Sequence, residues 1–362
     1  MDFDTYDDNV VIPAIQEQIS FLSMPEPELP TGTYKDAPRI DLDFYDRIVV
    51  CLSGGKDSIA CLLTLIEQGV DLSKVELWHH DVDGEDSDLM DWVFMKDYVR
   101  KFADAFGIPL HYSWLSGGFE AEMNKDNAHS LPHKIETPAG LITLDRDRSK
   151  RGTRLKFPQQ AASLQTRWCS AALKIDVGRR ALNNQERFHN SKTLFVTGER
   201  REESPNRSRY NQLEYHHSDR RNGRSGRLID AWRPCLHFSE EDVWDIIARH
   251  GVLAPIPYRL GWSRSSCQFC IFNSPRIWAT LDRYFPERLA RIAAYEERFG
   301  ATISRKQLNV RQVAAQAIPF EITDIEALAQ ATDPEYHLPV LVPSKDWLLP
   351  PGAFGSEGCG SL

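Results

Sequence analysis

The stretch Arg47-Ile-Val-Val-Cys-Leu-Ser-Gly-Gly-Lys-Asp-Ser-Ile-Ala-Cys-Leu-Leu-Thr-Leu-Ile66 decides the reading of this chain. Its first six residues are almost wholly apolar and β-branched, as expected of a buried strand over 47–52. Its last part predicts a helix over 58–68. Between them lies Ser53-Gly54-Gly55-Lys56-Asp57-Ser58. Two glycines permit a tight turn and close backbone approach, so amide groups can converge on an anion. The helix beginning near Asp57 adds its N-terminal field, Ser53 and Ser58 add hydroxyls, and Lys56 adds a point charge. A phosphate fits that set. The loop is shorter than the nucleotide loop with four residues between Gly and Gly-Lys-Ser/Thr, and its first serine precedes the glycines.

Outward from this loop, strand and helix alternate. Strand 75–80, a polar loop, a helix across 88–106 and strand 110–114 follow, then an irregular stretch over 116–160. A helix over 170–184 and strand 192–197 come next. The pattern predicts an α/β fold with a parallel sheet covered on both faces and a largely helical C-terminal part. Residues 198–228 read as an arginine-rich loop. Ser239-Glu-Glu-Asp242 has capping-box spacing before a helix, and 275–300 is strongly helical. The expected organisation is an N-terminal arm over 1–45, a core over 46–275, and a helical region with a Pro/Gly-rich tail over 276–362. Ile277, Leu281, Phe285, Leu289, Ile292 and Tyr295 share a helical face, for core packing or a homodimer contact.

The 362 residues suffice for a sizeable core, and 26% charged with 41% hydrophobic residues describes an ordinary water-soluble protein. No run approaches the roughly 18 apolar residues of a membrane span. The acidic start lacks the basic flank and apolar core of a signal peptide, so a cytoplasmic location is expected. A net charge of -9 argues against a general nucleic-acid coat but not against a local basic surface. Arginines crowd the segment 200–233, which could track a nucleic-acid backbone or form a solvated charged loop.

Asp81, at the end of the second strand, stands on the side where open α/β sheets bind ligands. With Asp83, Glu85 and Asp86 it could help hold Mg²⁺, or the four could form a solvated acidic turn. Of seven cysteines, Cys51 and Cys61 lie in apolar elements and read as core. Cys169, Cys235, Cys267 and Cys270 remain. Cys267-Gln-Phe-Cys270 has spacing suited to an iron–sulfur cluster, zinc or a redox pair, with Cys169 and Cys235 as further candidate ligands. A [4Fe-4S] cluster is the leading expectation, zinc the lesser one.

The six-residue loop closely resembles that of the ATP pyrophosphatases, the adenine-nucleotide alpha-hydrolase family. Gly198, Arg200, Glu203 and Ser204 resemble the Gly-x-Arg-x-x-Glu-Ser segment of that family's phosphoadenylylsulfate (PAPS) reductase branch, as do Trp168, Cys169 and Lys174. The resemblance covers roughly 45–275. It implies that ATP binds with its pyrophosphate at Ser53–Ser58, and that Asp81, Gly198, Glu203 and Ser204 help form the nucleotide pocket. Lys56, Asp57 and Arg200 are the implied catalytic residues. The reductases' C-terminal Glu-Cys-Gly-x-His segment is not matched: the tail reads Glu357-Gly-Cys-Gly360, with no histidine. The adjacent cysteine pair of the adenylylsulfate reductases is reduced to Cys169 followed by Ser170. The intact loop favours ATP cleavage over plain reduction.

The sulfur-transfer component of DNA phosphorothioation is similar to the whole pattern. The resemblance thus implies adenylation of an acceptor with AMP and pyrophosphate formed, then sulfur transfer. The implied acceptor is a nucleic acid, DNA rather than RNA, and the implied donor a cysteine desulfurase or other sulfur source. A PAPS or adenylylsulfate reductase and a non-catalytic nucleotide-binding subunit are the alternatives.

Overall fold

The computed structural model describes residues 31–161 and 163–355. Eight strands form one sheet: β1 (Arg47–Cys51), β2 (Val75–Asp81), β3 (Leu110–Leu115), β4 (His133–Thr137), β5 (Gly140–Leu144), β6 (Lys192–Val196), β7 (Leu213–Tyr215) and β8 (Leu228–Trp232). Their order is β5-β4-β3-β2-β1-β6-β8-β7. The five central strands are parallel. The flanking β4–β5 hairpin and β7 are antiparallel, so the parallel sheet expected from the sequence is a mixed one.

The helices are α1 (Lys56–Glu67), α2 (Met95–Phe106), α3 (Gly118–Met123), α4 (Trp168–Ser170), α5 (Asp176–Asn183), α6 (Glu240–Arg249), α7 (Ile256–Arg259), α8 (Pro275–Tyr284), α9 (Pro286–Phe299), α10 (Val310–Ala314) and α11 (Ile325–Gln330). A π-helical turn, Ala171–Ile175, joins α4 to α5.

Both faces of the sheet are covered. On one, Ile59, Leu62, Leu63 and Leu65 of α1 join Val99 and Phe102 of α2 and Ile246 and Ile247 of α6 in a dry core. Truncating one such leucine to alanine would cost about 2–5 kcal/mol. On the other, Ala181 and Leu182 of α5 pack on Val49, Trp78, Phe195 and Ile229. Parallel strands covered on both sides explain the near-continuous apolar runs.

Four departures from the sequence reading have local causes. Residues 88–94 are bends and a turn, so the expected helix across 88–106 begins at Met95. The irregular stretch contains α3 and the β4–β5 hairpin. The arginine-rich loop contains β7, and β8 follows it. Pro286, which lacks an amide to donate, starts a new helix and splits the expected 275–300 helix in two. Ile277, Leu281, Phe285, Leu289 and Ile292 are buried within the chain. The first 30 residues and the Cys359 segment lie outside the described residues. No helix among the described residues is long and apolar enough to cross a membrane.

Candidate active site

The phosphate loop sits at the C-terminal edge of β1, the central strand. Gly54 has φ +77°, a left-handed conformation that only glycine adopts without strain, and an added Cβ would meet Met95 Sδ at 2.4 Å. Gly55 is the N-cap of α1 and has no side chain with which to cap the first turn of this 12-residue helix. The serines brace the turn. Ser58 Oγ donates to Gly55 O at 2.8 Å and accepts from Ser53 N at 3.2 Å.

Lys56 lies beneath the loop, only 2% exposed. Its Nζ donates to Ser263 O at 3.3 Å and stands 3.5 Å from Glu240 Oε1, 3.7 Å from Asp57 Oδ2 and 5.3 Å from the centre of the Tyr258 ring. Tyr258 Oη also accepts from the Lys56 amide at 3.1 Å. Burial pulls the ammonium down, but Tyr258, Asp57 and Glu240 outweigh it and keep Lys56 above the ordinary lysine value. Asp57 is held below the usual carboxylate range: burial raises it, and Lys56, Arg200 and Arg264 overcome that.

Arg200, 4% exposed, reaches back from the segment after β6. Its Nε donates to Asp57 Oδ1 at 2.6 Å and its Nη1 to Glu202 Oε2 at 3.0 Å, while its own amide donates to Glu203 Oε2 at 2.9 Å. Gly198 lies flat against the start of α1: an added Cβ would stand 3.0 Å from Asp57 O and 3.1 Å from Ser58 N. The two sequence signatures, 140 residues apart, are therefore one structure. Glu203 pairs with Arg207 and faces Arg264 Nη2 at 3.6 Å. Ser204 Oγ accepts from the Arg207 amide at 3.3 Å.

In the acidic loop after β2, Asp81, Asp83 and Glu85 each have a protein partner. Asp81 is paired with Lys96 Nζ at 2.6 Å. Asp83 accepts from the amides of Met90 and Asp91, at 2.9 and 2.7 Å. Glu85 accepts from Trp114 Nε1 at 2.8 Å. Burial pushes Asp83 up to about 7. His79 and His80 are held below the ordinary histidine value, first by burial, which leaves both neutral.

The iron–sulfur and zinc expectations are corrected. Among the described residues no group of three or more His, Cys, Asp or Glu side chains could hold a metal ion. Cys235 is fully buried beside α1, a free thiol with its Sγ 3.4 Å from Thr64 Oγ1 and hydrogen-bonded with the Cys61 thiol. It belongs to the core. Cys169, Cys267 and Cys270 instead act electrostatically on the Lys174 ammonium. Burial draws Lys174 down, while Cys267, Asp91, Cys169 and Cys270 more than offset that. The Cys267 thiol is itself pushed well up by burial and Asp91, and Cys169 up by burial. Both are protonated at neutral pH. The Cys270 amide donates to Cys267 O at 3.1 Å, closing a tight turn.

Sequence reasoning missed Glu240, Tyr258, Ser263 and Arg264, which surround the loop from a segment about 200 residues downstream. Nothing in their local sequence signals the role. In the segment 200–233, expected to track a nucleic acid or form a solvated loop, five of nine arginines are in ion pairs, Arg200 and Arg207 among them. Arg201 pairs with Asp36, Arg221 with Asp219 and Asp230, and Arg233 with Glu214.

A family model described as the phosphoadenosine phosphosulfate reductase domain matches residues 47–273. An uncharacterized 37.8 kDa protein of Escherichia phage 186 is 27% identical over 273 residues, covering 71% of this chain and 76% of that protein. Structures of Candida glabrata FMN adenylyltransferase align at 13% identity. One has TM-score 0.35 over 78% of this chain and 70% of the other. A second, with FAD and inorganic pyrophosphate, has TM-score 0.34 over 64% of this chain and only 56% of its own length. Scores this low carry no functional weight. The family match spans more than half the chain, from β1 through the Cys267–Cys270 turn: the chain belongs to the phosphoadenosine phosphosulfate reductase domain family, an enzyme-associated branch of the adenine-nucleotide-binding PP-loop proteins.

Proposed function

We propose that the chain cleaves ATP between the α and β phosphates and passes the adenylyl group to an acceptor oxygen, readying that acceptor to receive sulfur. The carrying observation is the contact of Gly198 with the first residues of α1. It holds a glycine turn and an uncapped helix N-terminus in one rigid anion cradle. The acceptor oxygen attacks the α phosphorus, the bond to the bridging oxygen breaks, and pyrophosphate leaves with the electron pair. Backbone amides and Arg264 take up its charge. Lys56 and Arg200 act as positioning residues, since both are tied to Asp57 beneath the loop.

In the second step a sulfur nucleophile bonds to the activated acceptor and AMP departs with its oxygen. Cys169 and Cys267 beside Lys174 support this assignment, as the place where a donor such as a cysteine desulfurase delivers sulfur. The family description favours one rival, reduction of phosphoadenylyl sulfate by thiols. Product analysis separates the two. Adenylation yields AMP and pyrophosphate from ATP, whereas the reductase yields sulfite from phosphoadenylyl sulfate and no pyrophosphate. Sulfite formation without ATP cleavage would overturn the proposal.

A further inference from the structure

The sheet carries a second charged surface that neither signature touches. β4 runs antiparallel to β3, with His133 opposite Leu115, and β5 returns with Leu144 opposite His133. The end of β5 therefore lies at the same sheet edge as the phosphate loop. The chain leaving it, 145–156, carries six basic residues against Asp145 and Asp147.

Arg148, Lys150, Arg151 and Lys156 are exposed, and among the described residues none of the four forms an ion pair. The other two basic residues anchor the segment. Arg146 Nη1 lies 2.7 Å from His133 Nε2, and Arg154 pairs with Glu122 at 3.1 Å while stacking 5.1 Å from the centre of the Trp168 ring. From α5, Arg180 donates to Asp145 O at 2.9 Å, and the exposed Arg179 stands one residue away. The crowding is real enough to act on its neighbours: burial, then Arg146 and Arg180, push His133 down to about 3.

In a chain of net charge -9 such a strip is not a by-product of composition. It contrasts with 200–233, where five of nine arginines are paired with carboxylates. The free basic groups are spread over the nine positions from Arg148 to Lys156, which suits a repeating anion rather than a single phosphate. Ser149, Gly152, Thr153 and a single half-buried leucine, Leu155, lie between them, so the strip lacks the cluster of apolar side chains at the centre of a protein interface. Through Arg154 it touches Trp168, the residue before Cys169.

We propose that segment 145–156, flanked by Arg179 and Arg180, binds a nucleic acid through its phosphodiester backbone and guides the strand past Trp168. This goes beyond the adenylation reading and does not depend on it.

The test uses the full chain and fluorescence anisotropy with labelled single-stranded DNA, duplex DNA and RNA, between about 50 and 200 mM salt. Wild type binds at least one of them at low salt, and the three probes identify which. The variant Arg148→Ser/Lys150→Ser/Arg151→Ser/Lys156→Ser binds at least about tenfold more weakly, and the slope of log K against log salt falls by roughly three to four. The control Arg209→Ser/Arg224→Ser, in the other arginine-rich segment, is unchanged. Thermal unfolding midpoints verify that both variants fold. No binding by the folded wild type, equal binding by the quadruple variant, or displacement by polyglutamate as readily as by unlabelled nucleic acid would overturn the proposal.

Discussion

Arg200 Nε donates to Asp57 Oδ1 at 2.6 Å, and this one contact locks the segment after β6 onto the phosphate loop. Arg200 is 4% exposed, so removing either partner strands a poorly hydrated charge. Breaking a buried pair costs about 3–5 kcal/mol, and the partly exposed Asp57 places Arg200→Ala at the low end. A double-mutant cycle with Asp57→Asn and Arg200→Ala, read by denaturant unfolding, is expected to give a coupling of about 2 kcal/mol. Additive effects would mean the contact is idle.

Gly198→Ala probes the same junction without touching charge. The new methyl would stand 3.0 Å from backbone atoms of Asp57, which cannot swing aside as a side-chain tip can. A displacement of about 1 Å in a positioning element can lower turnover by about a hundredfold. The expected outcome is a loss of that order in ATP-dependent pyrophosphate release with modest loss of thermal stability.

Asp83 gives a pH signature. Its folded pKa of about 7 lies above the unfolded value of 3.8, so the folded state holds the proton more tightly. Between these values the unfolded chain binds fewer protons, and stability falls as pH rises. The full linkage is at most about 4 kcal/mol. Asp83→Asn should flatten this part of the stability profile between about pH 4 and 7. Urea midpoints at several pH values measure it, and an unchanged profile would count against a proton on Asp83.

The thiols should respond to their charged neighbours in opposite senses. Asp91 raises Cys267 and Lys174 lowers it, after burial has done most of the work. Alkylation by iodoacetamide at neutral pH is expected to be slow in wild type, faster in Asp91→Asn and slower still in Lys174→Met, scored at Cys267 by peptide mass. The reverse order would mean that Lys174 does not face the thiol.

Metal analysis checks the correction to the cysteine reading. Protein purified without oxygen is expected to carry neither iron nor zinc in stoichiometric amounts and to show no visible charge-transfer absorption. One equivalent of either metal would restore the ligand-set reading.

The parts of this fold written in local pattern were legible in the sequence. The run from Arg47 to Ile66 switches from strand to helix at two glycines, and β1, the loop and α1 follow it closely. The β4–β5 hairpin was missed because its faces are only half buried and its alternation is diluted by the turn at Thr137-Pro-Ala-Gly140. Pro286 did announce a helix start, but the apolar spacing runs across it and reads as one helix. Cys235 shows the harder limit. Sequence gives spacing, whereas ligation depends on which face of the sheet a side chain occupies, and Cys235 faces α1 while Cys169 and Cys267 face Lys174. Glu240 and Tyr258 reach Lys56 only through the packing of α6 and α7, which local pattern does not encode.

The most direct test is the product balance of ATP turnover, followed by phosphorus NMR in wild type, Lys56→Ala and Asp57→Asn, with nucleic acid present as acceptor. The account predicts AMP and pyrophosphate in equal amounts from wild type and a loss of both in the two variants. ADP with inorganic phosphate, or undiminished AMP and pyrophosphate from both variants, would contradict it.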